Sequence, residues 1–201
     1  MDEHEGCINR REVLKATVAS LVAGAAGVLT GCALGSAAGD RAASIATGRE
    51  TVMDSRLLMT VKIAAAPAQM LGAVPHGRRS IVPVTGGEFE GPRLRGKVLP
   101  GGGDWLLMRS DGVLELDLRI MLETDDHALI YMTFQGLRHG PADAFAALSR
   151  GEVVDPASYY FRTLPRFETS SETYAFLNRI ITVGVGEGRP NGAVHKIEEI
   201  L

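Results

Sequence analysis

Between residues 114 and 122 the chain alternates without a break. Leu114, Leu116, Leu118, Ile120 and Leu122 fall on one face; Glu115, Asp117, Arg119 and Glu123 fall on the other, with Val113 and Met121 among them. A period of two over this length predicts a β-strand with one apolar and one polar face. Residues 127–135, rich in β-branched and aromatic side chains, predict its partner. Thr124, Asp125 and Asp126 make the turn, since short Asp side chains can bond their own backbone. This hairpin, residues 111–136, is long and carries most of the chain's patterned charge, and the rest of the fold is read around it.

Residues 56–65 alternate as a first strand, ended by Pro67 and followed by a loop marked by Gly72, Pro75 and Gly77. Residues 79–85 predict a second strand, with Pro83 implying an edge or a bulge, and Gly86-Gly87 a turn. A third strand follows at 93–99, a turn through Pro100 and three glycines, and a short strand at 104–109. Past the hairpin, residues 141–150 break the pattern: Pro141 at the start, Ala and Leu inside and Gly151 just beyond predict one short helix. Strands return at 159–163 and 178–185; the glycines of 184–188 with Pro190-Asn191-Gly192 read as a hairpin turn, and 193–201 as the closing strand. About eight to nine short strands with one short helix predict an all-β fold, an antiparallel β-barrel of the lipocalin-like (calycin) kind. A barrel of roughly eight strands either fills its interior with side chains or holds one small ligand.

Composition narrows the function classes. The net charge of −3 supplies no basic stripe, so no nucleic-acid partner is expected. The only cysteines, Cys7 and Cys32, precede the predicted strands, which excludes a disulfide framework in the barrel. The five histidines have no metal-ligand spacing, and neither a phosphate-cradling nor a dinucleotide glycine motif stands at a strand-to-helix turn. The expectation is therefore no metal and no cofactor.

The N-terminal segment reads as an address. Arg10-Arg11 precede an uncharged, Ala/Gly-rich run from 16 to 39, which resembles a twin-arginine export signal. Leu29-Thr30-Gly31-Cys32 resembles a lipoprotein box, in which Cys32 is the lipidation site; plain cleavage near Ser36-Ala37-Ala38 is the alternative. The expected organisation is a signal peptide at 1–31, a flexible linker at 32–54 and the barrel domain at 55–201. The expected location is periplasmic, on a lipid anchor.

Three segments together carry a family resemblance: GGEFEGPRLRGKVLPGGGDWLLMRSDGVLELDLRIMLETDD, GLRHGP and YYFRTLPRFETSSETYAFLNR. In order and spacing they resemble the bacterial and fungal family called domain of unknown function 3237, over residues 58–201. The resemblance implies a compact antiparallel β-barrel and no settled activity. It also implies that the Asp104 and Arg119 positions belong to the family's pattern, and an export signal is a departure from it.

Candidate chemistry follows from the strand faces. Glu115, Asp117 and Arg119 project the same way, neighbours about 6–7 Å apart. If that face looks inward, Asp117 and Arg119 form a buried pair able to hold a polar ligand; if outward, they are a solvated surface. Asp104, after three glycines, is either a turn carboxylate or a general base at the barrel mouth. Tyr131 is a half-buried core tyrosine or a donor to a carbonyl oxygen. Asp104, Asp117, Arg119 and Tyr131 are the candidate catalytic groups; Glu90, Trp105, Arg162 and Asn178 are the candidate ligand contacts. The expected function is an exported barrel that binds a small, partly apolar molecule. The alternatives are a cofactor-independent isomerase, lyase or cyclase with a carboxylate base, and a partner-binding module. Two-fold self-association is the default for such barrels.

Overall fold

The computed structural model describes residues 53–201. The twin-arginine segment, Cys32 and most of the expected linker lie outside the described residues. In chain order the elements are β1 (Ser55–Ala65), β2 (Gln69–Val74), β3 (Gly77–Glu90), β4 (Arg95–Val98), β5 (Gly103–Met108), β6 (Leu114–Thr124) and β7 (Leu129–His139), then the helix α1 (Ala142–Ser149), then β8 (Tyr160–Glu168), β9 (Thr182–Arg189) and β10 (Gly192–Ile200). Short 3-10 turns occupy Pro156–Ser158 and Ala175–Arg179.

All ten strands belong to one antiparallel sheet that closes on itself, because β1 pairs with both β10 and β3. The closed wall has eight strand positions, with two further strands and the one short helix. The long strand β3 makes this possible. On one side its first half pairs with β2 and its second half with β1; on the other side the halves pair with β5 and β4. The strand β6 spans the β5–β4 junction in turn.

The alternation in β6 decides which face is inside. Leu114, Leu116, Leu118, Ile120 and Leu122 are all buried, and with Leu58, Val61, Phe89, Ile130, Met132, Phe134 and Ile197 they build the core. Burying each such side chain contributes roughly 1.5–3 kcal/mol, so the apolar face takes the interior and the charged face is left outside. The inward alternative for Asp117 and Arg119 is thereby overturned.

The strand boundaries differ from the sequence reading mainly where a glycine or proline lies within a strand instead of ending it. Gly86 and Gly87 lie inside β3, not in a turn. A Cβ at Gly87 would stand 2.0 Å from the Lys62 carbonyl oxygen, so glycine serves the close approach of β1. The predicted loop at 66–78 contains β2, which folds back on β3. The predicted strand at 159–163 continues through Pro165 to Glu168 as β8. The start of the strand predicted at 178–185 is instead a 3-10 turn, and β9 runs on to Arg189.

That last correction has a packing cause. On β9 the buried, inward positions are Thr182, Gly184, Gly186 and Gly188. A Cβ at Gly186 would meet the Phe161 ring at 2.6 Å, and one at Gly188 would meet Leu148 at 3.1 Å. Bare backbone on this strand makes room for an aromatic ring from β8 and for a leucine from α1. The helix itself runs from Pro141 to its end beside Gly151, as the sequence predicts, and buries Ala144.

Candidate ligand-binding lumen

One end of the barrel holds a half-open pocket of about 450 Å³. Its wall is mostly apolar: Ile63, Val84, Leu116, Leu118, Phe134 and Phe161 line it, and Leu148 of α1 lies over it. Exposed residues, among them Pro67, Arg189 and Asn191, mark its open end. Into this apolar chamber three strands each send one ionisable side chain: Asp104 from β5, Arg138 from β7 and His195 from β10.

Asp104 is set in place by the glycines before it. A Cβ at Gly102 would stand 2.3 Å from the Arg119 carbonyl oxygen, so only glycine lets the chain press against β6 as β5 begins. In register, Asp104 lies between Val82 of β3 and Leu118 of β6. It is 9% exposed, and one carboxyl oxygen accepts the backbone N–H of Asp117 at 3.0 Å. Burial pushes its pKa up to about 7; the Asp117 charge adds to the rise, while the Asp117 N–H and Arg138 oppose it.

Arg138 continues the inward series Ile130, Met132, Phe134 and Gly136 along β7. Its guanidinium carbon lies 5.2 Å from the Phe145 ring centre and 5.5 Å from that of Phe161. Its Nε is enclosed and has no hydrogen-bond partner among the described residues. Burial lowers its pKa, and Tyr159 and Asp104 act against that. Nearby, the Tyr159 hydroxyl accepts the Gly188 N–H at 2.9 Å, tying the start of β8 to β9.

His195 is 1% exposed. Its ring sits 4.8 Å from Phe134 and 5.1 Å from Phe161, and its Nδ1 has no partner among the described residues. Burial lowers its pKa to about 4, so the imidazole is neutral at pH 7. The trio therefore holds a carboxyl near its titration point, a guanidinium and an uncharged imidazole in a low-dielectric space. Such an arrangement can hold an oxygen-bearing group and exchange a proton with it.

Of the residues singled out from sequence, only Asp104 lines this chamber. Asp117 and Arg119 pair at 2.9 Å on the outer wall, where Arg119 also lies 5.5 Å from the Trp105 ring. Trp105 itself is 36% exposed on that outer face. Tyr131 is half-buried on the outer side of β7, over a surface depression it shares with Asn178. Asn178 holds a turn, its amide bonding the N–H and C=O of Thr169, each at 2.9 Å. Arg162 is exposed, donates to the Phe161 carbonyl at 3.0 Å and lies over Tyr160. Glu90 is exposed at the end of β3. The face of each strand explains these placements, because only the side that carries the core residues reaches the lumen.

Arg138 and His195 were missed, although the alternation contains them. Stepping by two from Phe134 passes Gly136 and reaches Arg138; stepping back by two from Ile197 reaches His195. Extending the core register to the strand ends is the signal that finds both.

The comparisons with known proteins agree on the architecture. The family model described as "Protein of unknown function (DUF3237)" matches residues 54–200. A UPF0311 protein of Rhodopseudomonas palustris is 34% identical over 149 residues, which is 74% of this chain and 97% of the relative. Its crystal structure, described as that of a conserved protein of unknown function, superposes with a TM-score of 0.72 and covers 75% of this chain and 99% of that one. A protein from Acinetobacter baumannii, described as "beta-barrel like", is 38% identical with a TM-score of 0.66, covering 75% of this chain and 97% of its own.

Proposed function

The chain belongs to the DUF3237 family, and for this member we propose that the barrel lumen is a binding chamber for one small, partly apolar molecule. The observation that carries the reading is the convergence of Asp104, Arg138 and His195, from three separate strands, on one otherwise apolar cavity. Ionisable groups are costly to bury, and a fold keeps them buried together where they have work to do. The volume suits the role, since small-molecule sites run roughly 300–1,000 Å³ with a few polar groups in an apolar wall.

A thermal-shift and native mass-spectrometry screen with aromatic and alicyclic acids, phenols and ketones tests this. At least one member raises the melting temperature, because a ligand held only by the native state stabilises it by about 2.7 kcal/mol at a hundredfold excess over Kd. Ala193 lines the cavity, so Ala193→Phe fills it and abolishes the shift. A panel with no stabilising member, or shifts that Ala193→Phe leaves intact, contradicts the reading.

One observation favours a second reading, that of a proton-transfer enzyme. A carboxyl with a pKa of about 7 is present in both forms at neutral pH, which suits a general base. The Asp104 carboxylate removes a proton from a carbon beside a carbonyl. The C–H electrons pass into the conjugated system of an unsaturated ketone and onto its oxygen, Arg138 holds the resulting dienolate, and Asp104, whose proton exchanges with solvent, protonates a different carbon to give an isomer. In D2O a bound ketone then exchanges that hydrogen for deuterium, and Asp104→Asn stops exchange while binding persists. Equal exchange by wild type and variant eliminates the reading.

The N-terminal pattern supports export and anchoring at Cys32. Radiolabelled palmitate fed to cells tests it: the full chain incorporates label and Cys32→Ala does not. Label retained by Cys32→Ala, or absent from the wild type, removes the anchor.

A further inference from the structure

We propose that the chamber selects a monocarboxylate on a flat apolar body, with the carboxylate seated on Arg138. The inference rests on the binding-chamber reading and names its ligand class.

The treatment of charge inside the barrel is uneven. Glu199, buried toward the far end of β10, is matched twice, by Arg56 at 2.8 Å and Arg93 at 2.6 Å. Arg189, at the open end of the chamber, is matched by Glu187 at 2.6 Å. Arg138 has no carboxylate within ion-pair distance among the described residues, and Asp104 acts on it only from farther off. Its enclosed Nε lacks an acceptor. An unsatisfied buried donor costs about 1–3 kcal/mol, more when charged, and a bidentate carboxylate is the acceptor that matches a guanidinium fork.

Its neighbours narrow the shape. The rings of Phe145 and Phe161 flank the guanidinium, so its direction is held before a ligand arrives. Phe134 and Phe161 also hold the His195 ring, a buried neighbour on the same wall whose Nδ1 has no partner among the described residues. The rest of the lining, Ile63, Val84, Leu116 and Leu118 included, is hydrocarbon. A ligand with one anionic end and a flat apolar remainder satisfies every surface of this space. A polyanion would find a single unmatched cation, and a neutral molecule would leave Arg138 without its acceptor.

The experiment compares 2-naphthoate with 2-naphthamide, and cinnamate with cinnamide, by isothermal titration calorimetry on the purified full-length chain. Each acid binds about tenfold tighter or more than its amide, the difference expected of a charge-assisted hydrogen-bond pair. Arg138→Met removes the preference, so that acid and amide bind alike; Arg138→Lys, which keeps the charge and loses the fork, falls between. The acid–amide ratio is measured on wild type, so it decides the matter even if a variant does not fold. Amides binding as tightly as acids overturn the carboxylate proposal and leave the chamber standing. Failure of all four compounds to bind at millimolar concentration counts against the proposal, and the wider screen above then tells whether the chamber itself survives.

Discussion

The Asp104 carboxyl accepts the backbone N–H of Asp117 at 3.0 Å, while the Asp117 carboxylate grips Arg119 on the opposite side of the same wall. Two aspartates of neighbouring strands thus meet through one hydrogen bond and face different solvents. The outer one is half-exposed and matched by a cation. The inner one is buried, and the nearby Asp117 charge makes its ionisation harder still.

That burial sets a pH dependence. In the unfolded chain Asp104 ionises near its ordinary value of 3.8, whereas in the native state it holds its proton up to about 7. Between those values the native state binds the extra proton, so stability falls as pH rises and reaches its floor above 7. A shift of about three units corresponds to at most about 4 kcal/mol. Urea denaturation at pH 4.5 and pH 8 measures it: relative to Asp104→Asn, the wild type loses a few kcal/mol across that interval. An unchanged difference between the two proteins contradicts the placement of Asp104.

His195 works in the opposite sense. Its pKa falls from 6.5 to about 4 on folding, so the unfolded chain binds the extra proton between those values. Its contribution is whole above 6.5 and is lost as pH drops toward 4, by about 3 kcal/mol. His195→Phe, which keeps an aromatic ring between Phe134 and Phe161, removes this part of the acid sensitivity. Denaturation curves at pH 4.5 and pH 7 for both proteins supply the check.

The bare inner face of β9 carries a steric prediction. Gly186→Ala drives a methyl group into the Phe161 ring. Overpacking of this kind costs about 1–3 kcal/mol, and the displaced ring moves toward His195 and Arg138, so ligand affinity drops as well. Chemical denaturation and calorimetry read the two effects separately.

The outer pair carries a prediction of no effect. Arg119→Ala leaves ligand affinity as it is in wild type, because its side chain lies outside the chamber. Loss of binding in the Arg119 variant would return the site to the outer wall.

The alternation of β6 and the partner strand made the closed, antiparallel wall readable from sequence, and the run of glycines before Asp104 marked the one lumen residue that was found. What misled was the double use of glycine. Gly87, Gly184 and Gly186 look like turn residues in a linear text, yet they lie within strands where a neighbouring backbone, hydroxyl or ring comes too close for a Cβ. Charge misled in a different way. The dense polar face of β6 drew attention, while Arg138 and His195 stand as single polar residues near the ends of apolar series. Nothing local separates such a residue from a surface charge; the separation comes only when closure of the barrel brings β5, β7 and β10 around one space.

The most direct test of that space is the titration of the Asp104 carboxyl itself, followed by its 13Cγ chemical shift in the wild-type chain. A midpoint near 7, moving upward when a carboxylate ligand saturates the chamber, is the predicted result. A midpoint near 4 that ignores every ligand would place Asp104 in open water and contradict the lumen as a functional site.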